Sequence, residues 1–472
     1  PPSVYSLRDV NPLFGQTSPD LPQATTQGQE NREMTSRLLA STALRIGAVM
    51  LITVSSVQAQ SNPRYVRFSG VPASVKGAFY QPDAPKPAPH VGILVMHRTS
   101  NFMNALACSE LSARGFAVLC MNPRSDNNEA AVRFETIPLD VKVGVEFLRK
   151  QPGITKVLLW GWSGGGATMT FYESVAENGT SICQGPKKLV QCGKELAGLP
   201  PADGLILVDA HPGNPVNALR SLNPAVTDER RPDRLDPNLD PFSARNGYRS
   251  SGPFTYSEAF KKAYFKAQAD RMNRLIDAAL DRQARMRAGT HLYADDDAFL
   301  IPRGVGGRLM QLDLGVHHST QKPAKLLKND GTIVTQIVES VRTASPQLAS
   351  QNATFEDGTH FLTVKSFLSA NAIRATDSMD GIDHCSSNNS PPCHLPQIRV
   401  PLLIAAMGGH HFVRDNEIHY DVAASADKDF VVIEGAEHGQ TPCVPCESVP
   451  GQYSNTVRNF YDYARDWINK RY

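Results

Sequence analysis

Between Tyr65 and Gln81 apolar and polar residues alternate around Gly77, a pattern that predicts an antiparallel hairpin. The period then changes. Val91–Met96 is a continuous apolar run and predicts a strand buried on both faces. Phe102–Ala113 predicts a helix that stops at Gly115, and Phe116–Met121 the next strand. Pro138–Lys150 predicts a helix carrying Val141, Val143, Val145, Phe147 and Leu148. Lys156–Trp160 predicts a third buried strand, 165–176 a helix, and Gly204–Val208 a fourth strand. Strands resume at Val400–Ala406 and Phe430–Ile433, followed by a closing helix from about Ser454 to Lys470. Alternating strands and helices imply an α/β fold, with a mostly parallel central sheet flanked by helices.

The rhythm breaks over residues 210–397, a stretch too long for a loop. It opens Pro-, Asp- and Arg-rich to about Tyr248. Thr255 and Glu258 then have capping-box spacing. Phe260, Tyr264, Ala267, Leu275 and Ala279 follow at helical spacing and mark an amphipathic helix to about Met286. The segment reads as a mainly helical cap inserted before the penultimate strand. The core is then 60–209 and 398–472. No internal repeat is visible.

The chain has 472 residues, 41% of them hydrophobic, and a formal net charge of only +2. A near-neutral chain without runs of like charge is not built to neutralise phosphates, which argues against a nucleic-acid partner. Residues 1–33 are polar and read as a disordered leader. From Met34 the chain reads as a secretory signal (34–59), with Arg37, the apolar run Ile46–Val54 and the small-residue site Val57-Gln58-Ala59 before Gln60. That apolar run is about half the ~20 residues a bilayer needs, so no stable membrane insertion is expected after cleavage near Ala59-Gln60. A secreted or periplasmic location follows. Of the eight cysteines, Cys183 with Cys192, Cys385 with Cys393, and Cys443 with Cys446 form three close pairs suited to small bridged loops. Cys108 and Cys120 fall in an expected helix and strand and read as buried thiols.

The strongest chemical signal is Leu158-Leu159-Trp160-Gly161-Trp162-Ser163-Gly164-Gly165-Gly166-Ala167. G-x-S-x-G alone is a weak pattern. Here it follows an apolar strand and opens a helix, the context in which a sharp turn exposes a serine hydroxyl and aims free N–H groups at the reacting atom. At these residues the chain resembles the α/β-hydrolase fold family, over about 60–210 and 398–472. The resemblance implies that Ser163 is a nucleophile. It also implies a histidine base in the loop after the last strand, where Val431-Val432-Ile433-Glu434-Gly435-Ala436-Glu437-His438-Gly439 offers His438.

The resemblance places the acid a few residues after the penultimate strand, but that slot in Met407-Gly408-Gly409-His410-His411 holds His411. Three carboxylates remain open: Asp209, which ends the fourth strand much as in pancreatic-type lipases, and Glu417 or Asp415 further on. Gly164 is the first implied oxyanion donor. The second is Thr99 or Arg98 in the loop His97-Arg98-Thr99-Ser100, where family members usually carry His-Gly. Arg98 alternatively meets an anionic substrate group, and His97 and Trp162 are candidate substrate contacts. His410, His411 and His419, with His317-His318, lack a recognisable metal spacing, and neither metal nor cofactor is expected. The implied activity is hydrolysis of a small carboxylic ester, with amides or thioesters as variants, through an acyl-enzyme. A C–C bond hydrolase, a cofactor-free haloperoxidase and a non-catalytic binding protein are the alternatives on the same fold.

Overall fold

The computed structural model describes residues 63–82, 88–249, 251 and 254–472. The leader and the signal segment lie outside the described residues. β1 (Arg64–Arg67) and β2 (Lys76–Tyr80) form the expected antiparallel hairpin. β3 (Val91–Met96), α1 (Leu106–Ala113), β4 (Ala117–Asn122), α2 (Pro138–Arg149), β5 (Lys156–Trp162), α3 (Gly164–Asn178) and β6 (Gly204–Val208) follow. The inserted segment carries α4 (Asn214–Ser221), α5 (Glu258–Arg287), β7 (Ala298–Ile301), β8 (Ala324–Leu327), β9 (Ile333–Gln336) and β10 (His360–Thr363). β11 (Leu402–Met407), β12 (Lys428–Ile433) and a closing helix, Thr456–Asn469, complete the fold.

Among the described residues ten strands form one sheet in the order β1-β2-β4-β3-β5-β6-β11-β12-β8-β9. The run from β4 to β8 is parallel throughout. Its central strands are buried on both sides, so their period-two alternation sorts residues into two cores. Leu94, Met96, Leu205, Leu207 and Ile404 face α2 and α3, which contribute Val141, Val145, Met169 and Phe171. Ile93, Val95, Ile206, Val208 and Leu403 face α1 and the closing helix, which contribute Leu111, Phe460, Ala464 and Ile468. At about 1.5–3 kcal/mol per buried large aliphatic side chain, this double burial fixes strand register, because a one-residue slip would exchange the two faces.

The insertion differs from the expected mainly helical cap. α5 does form where the helix was expected, and its inner face builds separate cores with Val216, Leu219, Phe299 and Phe367 near one end and with Tyr256, Leu309 and Leu348 near the other. But β8 lies parallel beside β12, and β9 turns back antiparallel, so residues 324–336 extend the central sheet. Leu326 and Leu327 enter opposite cores, which is why the pair behaves as a strand rather than as cap surface. β7 and β10 form a further two-stranded sheet within the insertion. The N-cap of α5 is Ser257, whose side chain accepts from the Phe260 N–H, rather than Thr255. The Asp313 carboxylate holds the Tyr256 N–H, which keeps the chain outside the helix up to Ser257.

All eight cysteines are paired. The three close pairs are bridged. Cys108 and Cys120, expected as thiols, are bridged as well, because α1 packs on the β4 side of the sheet with the two Cα atoms 6.2 Å apart, within disulfide reach. No helix among the described residues is long and apolar enough to cross a membrane.

Candidate active site

Three strand ends meet at one edge of the sheet. β5 stops at Trp162, and Ser163 takes φ 58° before α3 begins at Gly164. A non-glycine residue with positive φ costs about 1–3 kcal/mol and persists only where its surroundings over-determine it. Here the Ser163 N–H donates to the Val208 carbonyl (3.1 Å), and the Ser163 carbonyl accepts from the His211 N–H (3.1 Å). The turn brings backbones together so closely that side chains are excluded. A Cβ at Gly161 would lie 2.8 Å from the Gly165 carbonyl oxygen, and one at Gly165 would lie 2.6 Å from the Met96 carbonyl oxygen.

β6 delivers Asp209 one residue past its end. The Asp209 N–H donates to the Ala405 carbonyl (2.7 Å), and its Oδ1 accepts from the Met407 N–H (3.2 Å), so the neighbouring β11 holds it twice. The loop after β12 delivers His438. Trp162 Nε1 donates to the His438 carbonyl (2.8 Å) while its ring stacks on Phe102, so Trp162 braces the loop. His438 Nδ1 lies 2.6 Å from Asp209 Oδ2, and His438 Nε2 lies 2.8 Å from Ser163 Oγ. Burial alone would raise the Asp209 pKa, but the His410 and His438 imidazoles outweigh it and hold the carboxyl well below the usual carboxylate range. Asp209 therefore presents an ionised acceptor to His438.

The other two carboxylates point elsewhere. Glu417 accepts from the backbone N–H groups of Gln321 (2.8 Å) and Lys322 (2.8 Å) and pairs with Arg414, so it anchors the segment leading into β8. Asp415 is fully buried against the Arg220 guanidinium at 2.9 Å. Removing one partner of a buried ion pair leaves the other charge uncompensated, and Asp415→Asn is expected to cost about 3–5 kcal/mol of stability. Urea denaturation checks the loss. Turnover per folded molecule should stay within a few-fold of wild type.

On the oxyanion side, the Thr99 N–H is directed at His97 Nδ1 (3.2 Å), as is the Ser100 N–H (3.0 Å). Those bonds commit the Thr99 N–H to its own loop, while His97 and Arg98 are the residues of this loop that lie beside Gly164. Two donors on Nδ1 leave the His97 proton on Nε2. Burial, then Arg98, pushes the His97 imidazole down to about 3, so it is neutral. The Arg98 guanidinium is committed to an ion pair with Glu129 and to Asn214 Oδ1 (2.9 Å), and its buried Nε has no partner. It is therefore not a free cation awaiting an anionic substrate. His97 Nε2 and Arg98 Nε both crowd Gly164: a Cβ there would lie 2.5 and 3.1 Å from them.

Two histidines stand in the site that the sequence did not single out as site residues. His211 Nε2 lies 2.9 Å from Ser163 Oγ, and His410 Nδ1 lies 2.6 Å from Asp209 Oδ2. The ring of His411, the residue in the expected acid slot, instead packs on Phe412 and His410, with its Nε2 buried and unpartnered. His419 is buried in the helix Val413–Val422. Among the described residues, Asp209, His410 and His438 have donor atoms within 4.8 Å of one another, so this trio is where a divalent metal could be held. Such an ion would compete with the Nδ1 proton of His438.

No family model matches the chain, and no curated protein does. Solved structures of similar fold include brefeldin A esterase, described as a bacterial homologue of human hormone sensitive lipase. It shows 12% identity over 91% of this chain and 81% of that chain, with a TM-score of 0.38. Est1E from Butyrivibrio proteoclasticus shows 10% identity over 87% of this chain and 100% of its own, with a TM-score of 0.34. A bromoperoxidase from Bacillus anthracis shows 11% identity over 86% and 99% of the two chains, with a TM-score of 0.33.

Proposed function

We propose that this chain, which has the α/β-hydrolase fold, is an exported serine hydrolase that cleaves small carboxylic esters through an acyl-enzyme. One observation carries the reading: the continuous relay from Ser163 Oγ through His438 to Asp209, assembled from the ends of β5, β12 and β6. His438 takes the Ser163 proton as Oγ attacks the carbonyl carbon, then gives it to the leaving alcohol. Water repeats the sequence to release the acid. Asp209 keeps the His438 proton on Nδ1 and stabilises the imidazolium. Gly164 N–H, at the start of α3, and the Arg98 backbone N–H are the oxyanion donors in this reading. The four disulfides support export.

A fluorophosphonate probe is expected to label the folded protein at Ser163 alone, and a series of p-nitrophenyl esters of rising acyl length should show turnover with a length optimum. Folded protein that takes no label and cleaves no ester in the series would overturn the reading.

A further inference from the structure

We propose that His211 is a further catalytic residue of this site: a neutral imidazole whose Nε2–H donates to Ser163 Oγ, fixing the hydroxyl proton on His438. This rests on the serine-hydrolase reading above and goes beyond its three-residue relay.

The argument is a count of protons. A serine hydroxyl has one proton to give and lone pairs to receive. Two imidazole nitrogens face Ser163 Oγ at hydrogen-bond distance, His438 Nε2 at 2.8 Å and His211 Nε2 at 2.9 Å. An ionised carboxylate only accepts, so Asp209 fixes the His438 proton on Nδ1 and leaves its Nε2 bare. That nitrogen therefore takes the one hydroxyl proton, and His211 Nε2 must be the donor. The far side of the ring agrees. His211 Nδ1 is buried with no partner, as a bare nitrogen would be. Burial first, then the neighbouring His438, Arg98, His97 and Arg308, disfavours a proton gain and holds the imidazole well below its ordinary range, which keeps the ring neutral.

The ring is also fixed in place. The His211 N–H donates to the Ser163 carbonyl, the adjacent Ala210 N–H donates to Asn416 Oδ1 (3.2 Å), and Phe412 packs edge-on at 5.3 Å. In the reaction the Oγ proton moves to His438 Nε2, the bond from Oγ to the carbonyl carbon forms, and the carbonyl π pair moves onto its oxygen. His211 keeps its proton throughout. Once Oγ has given up its proton and bonded to carbon it is a poorer acceptor, and the Nε2–H is released toward the oxyanion of the tetrahedral intermediate, where the charge has developed.

The test compares His211→Leu, which removes the donor at similar volume, with His211→Gln, whose amide can reach Oγ. One preorganised donor at such a site is worth about 10²–10³ in kcat. His211→Leu should lose on that order in kcat with KM within about threefold, and His211→Gln should recover at least tenfold of the loss. The acid limb of the kcat/KM profile should not move, because a neutral His211 does not titrate there. If His211→Leu does not fold, His211→Gln against the shorter His211→Asn asks the same question. A folded His211→Leu with wild-type kcat, or an acid limb that shifts in either variant, would sink the proposal while leaving Ser163 labelling intact. A wild type that takes no label fails at the earlier step and removes the serine-hydrolase reading with it.

Discussion

Ser163→Ala is expected to lower kcat for the best ester in the series by about six orders of magnitude, leaving a residual ~10³–10⁴ over water from the oxyanion donors and binding. Covalent catalysis is lost outright, because among the described residues no other hydroxyl shares a hydrogen bond with His438 Nε2. KM should change little, since only Oγ is removed. The fold should survive, because alanine retains the Cβ and so faces the same cost at φ 58° that serine already meets. The Ser163 backbone bonds to Val208 and His211 do not involve the side chain. The checks are steady-state kinetics, probe labelling and a melting curve on the same preparation. Activity within tenfold of wild type in folded Ser163→Ala would mean that the chemistry lies elsewhere.

The loss should exceed that of His211→Leu because the two residues do different work. In the proposed mechanism Ser163 splits one difficult hydrolysis into two easier steps, whereas His211 only orders and supports the first. The two variants should also be non-additive. Once Oγ is gone, His211 Nε2 has no reacting atom to serve, and the double variant should be no slower than Ser163→Ala alone.

The features legible in the sequence were those set by neighbours in the chain. Ser163 sits in its own strand, turn and helix, so the motif carries its geometry within ten residues. His438 follows its strand at short range. The candidate acid was harder to choose, because Asp209 directly follows β6 while Asp415 and Glu417 lie in the helix Val413–Val422 that follows β11. What separates them is which strands lie side by side. β6 between β5 and β11 puts Asp209 under His438, while Arg220 from the insertion claims Asp415. No motif surrounds His211, and the family pattern around His410 drew attention to position 411; the closeness of the two histidines to Ser163 and Asp209 arises only when three strand ends converge.

The β8–β9 pair did carry a local sign, Asp330-Gly331 between short apolar runs, with Gly331 at φ 88°. Its place at the far end of the sheet depended on β12 and on Glu434, which pairs with Lys328 and accepts from the Asn329 N–H. The Cys108–Cys120 bridge likewise joins a helix to the strand it packs beside, a contact that periodicity does not encode.

Asp209→Asn is expected to lower kcat by about 10⁴-fold with Ser163 still in place. An asparagine can turn its amide NH₂ toward His438, which moves the imidazole proton from Nδ1 to Nε2. The nitrogen facing Ser163 Oγ then has a hydrogen instead of a lone pair and cannot accept the hydroxyl proton. The developing imidazolium also loses its counter-charge, a fully buried carboxylate that solvent ions screen least. Fluorophosphonate labelling should slow in parallel with kcat, because it uses the same activated Oγ. Glu417→Gln supplies the contrast. Its carboxylate serves the Gln321 and Lys322 N–H groups and Arg414, so turnover should remain within about threefold while stability falls by about 1–3 kcal/mol as those bonds lose their charge. The reverse pattern, full activity in Asp209→Asn and a large kinetic loss in Glu417→Gln, would transfer the acid's role to the helix after β11. It would also require His438 to turn away from β6 before the reaction begins.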